Sequence, residues 1–141
     1  MIKRYASLLV PFIVAGSFAG CENLIEGPED EPQDDGVTTQ TTLSDIQENV
    51  FNTSCAFSGC HNGTNDPNLL PGESYGSLVD VPSLEQPALV RVKPGDSDNS
   101  LLIRKLNGSG TARMPPLPRP ALSQATIDSI AAWIDRGALN N

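Results

Sequence analysis

Seven consecutive residues, Cys55-Ala56-Phe57-Ser58-Gly59-Cys60-His61, hold two of the chain's three cysteines and its only histidine. Any fold available to this sequence brings two thiols and an imidazole to one place. Ser58 and Gly59 sit where the four-residue interval between the cysteines would bulge outward, and glycine tolerates such a turn. Few other residues offer comparable chemistry. Of the two methionines, Met1 starts the chain and Met114 lies in Arg113-Met114-Pro115-Pro116. Two prolines fix φ and favour an irregular loop, a setting that suits presenting a side chain.

A Cys-X-X-Cys-His run is a covalent attachment site for c-type haem, and Cys55-X4-Cys60-His61 is a widened form of it. The chemistry requires Cys60 and His61 to be adjacent, while Cys55 only has to reach the far vinyl group. Both thiols would become thioethers, and His61 would meet one face of the iron. With no second histidine, Met114 is the candidate sixth ligand, and a thioether there raises the reduction potential. One covalent haem c held by Cys55, Cys60, His61 and Met114 is therefore expected. Should Met114 be a core residue instead, the iron is five-coordinate and open to small ligands. Leu69, Leu70, Tyr75, Leu78 and Val79 are available to wall the haem edge, and Leu101 and Leu102 to pack against its plane. Arg91, Lys93 and Arg113 either pair with haem propionates or are solvated surface charges.

From Ile46 to the C-terminus, about 95 residues, the chain resembles the small cytochrome c-like domains of bacterial envelope proteins, including the Planctomycete-type cytochrome c group. The likeness rests on features in a fixed order. A short helix ends near Phe51, and the Cys-X4-Cys-His site follows. Val92-Lys93-Pro94-Gly95-Asp96 leads into Ser100-Leu101-Leu102, then comes Met114-Pro115-Pro116. A terminal helix ends in Trp133-Ile134-Asp135-Arg136-Gly137-Ala138. The resemblance implies an all-α, class I cytochrome c-like domain with three to four short helices wrapped around a covalent haem with long loops. It implies that the first and last helices cross. It also implies a loop carbonyl near a proline, Pro67 or Pro71, that accepts the His61 Nδ1 proton. The activity implied is one-electron transfer between redox partner proteins, by a carrier and not an enzyme, with no small-molecule substrate.

The N-terminus bears on the compartment. Residues 1–20 read as a secretory signal, with Lys3 and Arg4 ahead of an apolar stretch from Leu8 to Phe18. Phe18-Ala19-Gly20-Cys21 resembles a bacterial lipobox, which makes Cys21 the lipidated N-terminus; the alternative is an ordinary signal cut before an incidental cysteine. Glu22 next to it favours the outer membrane over the inner. Residues 21–42 then form the lipidated cysteine and an acidic tether, with seven acids, no base and two prolines. Such a segment buries too little apolar surface to offset its ordering entropy and reaches about 25 Å as a flexible coil. The expected location is the bacterial cell envelope, anchored by lipid and facing the periplasm. In that oxidising compartment Cys55 and Cys60 form a matched pair.

Net charge is −8, which argues against nucleic acid or an anionic membrane surface as electrostatic partners. Most of that acidity lies in the tether, because residues 43–141 carry ten acids against seven bases. Within that domain the patterning predicts four helical stretches. The first spans about 44–53, with Ser44 and Gln47 as a capping box. A short turn follows around Ser74–Val79. The third spans about 98–107, capped by Ser97 or Asp98 and stopped by Gly108. The last spans about 124–136, capped by Ser123, striped by Ile127, Ile130, Ala131 and Ile134, and stopped by Gly137.

Two further readings of the site come from other classes. A Cys55–Cys60 disulfide in a haem-free lipoprotein domain would serve interaction or scaffolding. A zinc site lacks a ligand, because two cysteines and one histidine stand without a second pair.

Overall fold

The computed structural model describes residues 41–141. The signal segment, Cys21 and the tether through residue 40 lie outside the described residues. Four helices carry the domain: α1 (Leu43–Ile46), α2 (Ser74–Leu78), α3 (Leu101–Asn107) and α4 (Gln124–Asp135). Without a break, α1 runs into a π-helical segment, Gln47–Cys55. Only isolated β-bridges occur among the described residues, at Val79–Val92, Pro82–Val90 and Val90–Ser100.

The first helix begins slightly earlier than its sequence predicts, and with a different cap. Thr42, not Ser44, accepts the Asp45 N–H through its hydroxyl, and the Asp45 carboxylate accepts the Thr42 N–H in return. Ser44 is engaged elsewhere: its N–H and hydroxyl both donate to the Asn141 carbonyl, at 2.9 and 2.8 Å. Asn141 Oδ1 also accepts the Leu43 N–H at 3.0 Å. The first free donors of α1 are thus satisfied from the other end of the domain. The π-helical segment carries the chain from buried Val50 and Phe51 to Cys55, and Ala56 N–H closes it on the Phe51 carbonyl at 2.8 Å. Wide i→i+5 turns of this kind are frequent at functional sites.

In α4 the Ser123 hydroxyl accepts the Thr126 N–H. Ile127, Ile130, Trp133 and Ile134 are buried on one face, as a helical period demands. They share a core with Leu43, Ile46, Val50 and Phe51 from the first helix, and with Leu69, Leu78, Val92, Ile103 and Leu106 from the middle of the chain. The Trp133 indole N–H donates to the Leu139 carbonyl at 2.9 Å. First and last helices thus contribute to one core, and a close backbone approach is made between α3 and α4.

Helix α3 starts later than predicted because the serines ahead of it are used for tertiary bonds. Ser97 donates from its N–H and hydroxyl to the Asp135 carboxylate, at 2.9 and 3.0 Å. The Ser100 hydroxyl accepts the Lys93 N–H and donates to the Asp96 carbonyl. Gly95 N–H bonds the Ile134 carbonyl at 2.8 Å. The Pro94-Gly95-Asp96-Ser97 turn is therefore docked on the C-terminal end of α4. At its own C-terminus α3 stops at Gly108, whose φ of +68° no L side chain adopts readily. A Cβ there would also meet Arg113 Cβ at 3.2 Å.

Candidate functional site

The Cys55–His61 run folds as a sequence of tight turns closed by its own backbone. Cys60 N–H bonds the Phe57 carbonyl at 2.9 Å, and His61 N–H bonds the Cys55 carbonyl at 3.2 Å. Ser58 and Gly59 are exposed, and Gly59 takes a φ of +78°. Asn65 reaches back to this turn, donating its N–H to the Cys60 carbonyl and its amide to the Gly59 carbonyl. The loop that follows ends where Leu69 N–H meets the His61 carbonyl at 2.7 Å. His61 is thus held through both of its peptide groups.

Its ring is held as well. His61 Nδ1 lies 3.0 Å from the Pro67 carbonyl. A carbonyl can only accept, so Nδ1 carries a proton, and the neutral ring held this way is the tautomer with its lone pair on Nε2. A bond of this kind fixes the tautomer and raises the basicity of the ligating nitrogen.

A cleft of about 500 Å³ opens against His61, within the range of cavities that hold small molecules and cofactors. Cys55, Cys60, His61 and Met114 all line it. Val50, Phe51, Leu69, Leu78, Leu101, Leu102, Leu106 and Ile130 form its aliphatic and aromatic wall. Cys55 and Cys60 are free thiols, both partly buried. Burial pushes the Cys55 thiol up to about 11, the Arg119 charge pulls against that shift, and Cys60 adds to it. At neutral pH Cys55 is protonated, which is unlike an activated thiolate nucleophile.

Met114 is brought to the cleft from the C-terminal end of α3. Gly108 turns the chain, and Met114 N–H then donates to the Lys105 carbonyl at 2.8 Å, satisfying one of the carbonyls the helix leaves free. Arg113 Nη2 donates to the Arg119 carbonyl at 3.2 Å. Arg113 Nη1 is buried and has no partner among the described residues.

The other residues singled out by sequence divide. Leu69, Leu102 and Arg91 line the cleft; Leu70 and Arg113 do not. Leu70 is 37% exposed, one position from a residue that is 4% exposed. Arg91 is engaged by the Asp66 carboxylate and, at 2.7 Å, by the Ser77 carbonyl. Lys93 pairs with Asp96 at 2.6 Å and does not line the cleft. Sequence reasoning missed Arg119, Asp66, and the Glu85–Lys105 ion pair, all on the cleft lining. Arg119 stands alone as a cation in Leu117-Pro118-Arg119-Pro120, and its closeness to the Met114 run is the signal that could have found it.

No family model, curated protein or solved structure matches this chain. The chemistry of the cleft therefore stands on its residues alone.

Proposed function

We propose that this domain is a monohaem c-type cytochrome that passes single electrons between redox proteins of the bacterial envelope. The observation that carries the reading is the convergence of Cys55, Cys60, His61 and Met114 on one apolar cleft, with His61 Nδ1 committed to the Pro67 carbonyl. The donor set fits a haem. One imidazole and one thioether are too few for an ion held by protein alone, and they suit an iron whose other four positions a porphyrin fills. Two thiols beside the imidazole match the two vinyl groups of the macrocycle.

When bound, haem supplies a ferric/ferrous couple. The chain's own residues do the rest. His61 presents Nε2 with its lone pair available, and the Pro67 carbonyl keeps the proton on the opposite nitrogen. Met114 offers a sulfur from the other loop, which favours the ferrous state and raises the potential. Leu69, Leu78, Leu101, Leu102 and Ile130 exclude water, so a change of charge at the metal is little screened. With His61 and Met114 both committed to the iron of a bound haem, no open position would remain there for a substrate. Partners are met through small transient contacts. A lipid anchor at Cys21, facing the periplasm, completes the reading of the whole chain.

The test is expression with and without a cytochrome c maturation system, followed by haem staining of a denaturing gel. Stain that survives denaturation and disappears in the Cys55→Ala, Cys60→Ala double variant supports the proposal. An unstained band from a competent host ends it.

A further inference from the structure

The four residues between the cysteines include an aromatic ring with a specific contact. The Arg119 guanidinium lies 4.0 Å from the centroid of the Phe57 ring, stacked on its face. Phe57 is fixed from below, because its carbonyl accepts the Cys60 N–H within the attachment turn. Arg119 closes the segment that bears Met114. Its carbonyl accepts from Arg113 Nη2 at 3.2 Å and its N–H donates to the Pro116 carbonyl at 3.0 Å. The Met114 loop is therefore tied to α3 through Lys105 and to the Cys55–Cys60 turn through the Arg119–Phe57 stack.

We infer that Phe57 and Arg119 are positioning residues for Met114. The widened interval between the cysteines supplies the ring on which the sixth-ligand loop is clasped. The inference rests on the haem reading above and extends it to how firmly the thioether is held. Without the stack the loop loses its tie to the attachment turn, Met114 leaves the cleft wall more often, and the sixth position opens to small ligands such as cyanide. The two sulfur-bearing loops are thereby coupled, and a disturbance of the attachment turn reaches the methionine through one cation–π contact.

The experiment compares Phe57→Leu, Arg119→Gln and Arg119→Lys with the parent, each purified from a host with a haem maturation system. The primary readout is hydrogen exchange at the Met114 amide. The second is the far-red charge-transfer absorption of a thioether-ligated ferric haem, with cyanide titration beside it. An exposed cation–π pair corresponds to a population change of roughly two- to fivefold. Met114 exchange is expected to quicken by that factor in Phe57→Leu and Arg119→Gln, while the far-red band weakens and cyanide affinity rises. Arg119→Lys, which keeps the charge over the ring, stays near the parent. Unchanged Met114 exchange in Phe57→Leu and Arg119→Gln overturns the inference. Arg119 is exposed, so Arg119→Gln decides the matter even where Phe57→Leu does not fold. A parent that carries no haem ends the electron-carrier reading, and the exchange comparison still decides the clasp.

Discussion

The two parts of this domain are held together by different physics. The terminal part, α1 with its π-helical continuation and α4, is packed: Ile46, Phe51, Ile130, Trp133 and Ile134 are all 1% exposed or less. The segments at residues 56–100 and 108–122 send Leu69, Leu78 and Val92 into that core and are otherwise held by backbone hydrogen bonds, turns, the short helix α2 and a few ion pairs. Stability is concentrated in the first part and the chemical groups in the second. His61 and Met114 stand on loops, where the Pro67 carbonyl holds the ring of one and the Lys105 carbonyl holds the backbone N–H of the other. Irregular segments on a packed scaffold commonly carry function in this way.

The largest expected break in that contrast is Trp133→Ala. Removing a buried indole costs about 3–5 kcal/mol, a large part of the stability of a small domain. A denaturant midpoint that hardly moves would show that the packed part does not carry the fold. Met114→Ala is the opposite case. The side chain is only partly buried, so stability should fall by about 1 kcal/mol or less, whereas the reduction potential drops and the reduced protein takes up carbon monoxide. Redox titration and the visible spectrum read both effects; an unchanged potential removes Met114 from the ligand set.

The smallest effect is in acid, and it sharpens the comparison because each part carries one example. Hydrogen bonds from the Thr42 hydroxyl and N–H hold the Asp45 carboxyl below its ordinary value, and Lys93 and Asn99 do the same for Asp96. Both groups have a lower pKa folded than unfolded. Each therefore contributes stability that is present above the ordinary carboxylate value near 3.8 and is lost as pH falls through the folded value. Asp45→Asn and Asp96→Asn should each lower the thermal midpoint slightly at neutral pH and match the parent in strong acid. Equal differences at both pH values would mean that charge plays no part in either bond.

How much of this is legible in the sequence depends on whether a residue's role is local. Helix α4 can be read almost to its ends, because its cap, stripe and stop lie within one stretch. Gly108 is readable for the same reason. The start of α3 is not, since Ser97 looks like its cap and instead binds Asp135, while the N-cap position falls to Ser100, whose hydroxyl is taken by Lys93 and Asp96. Ser44 passes for the first cap because its true partner, Asn141, is distant in sequence. The π-helical segment has no signature in the pattern of apolar residues. In the cleft, the adjacency of Cys60 and His61 and the loop-forming prolines at Met114 mark the principal groups. Leu70 cannot be separated from Leu69, because loops have no period to say which neighbour turns inward. Arg119 escapes notice because its contact with Phe57 spans two loops with no shared pattern.

Asn141 and Arg136 also join the two ends of the described domain. Arg136 donates to the Thr41 carbonyl at 2.7 Å, and Asn141 grips the start of α1 through Leu43 and Ser44. Loss of the last residues would therefore also free the start of α1, and the disturbance would reach the helical core behind Trp133. None of the three residues Thr41, Arg136 and Asn141 lines the cleft, so fraying at this seam starts away from the thiols, the imidazole and the thioether.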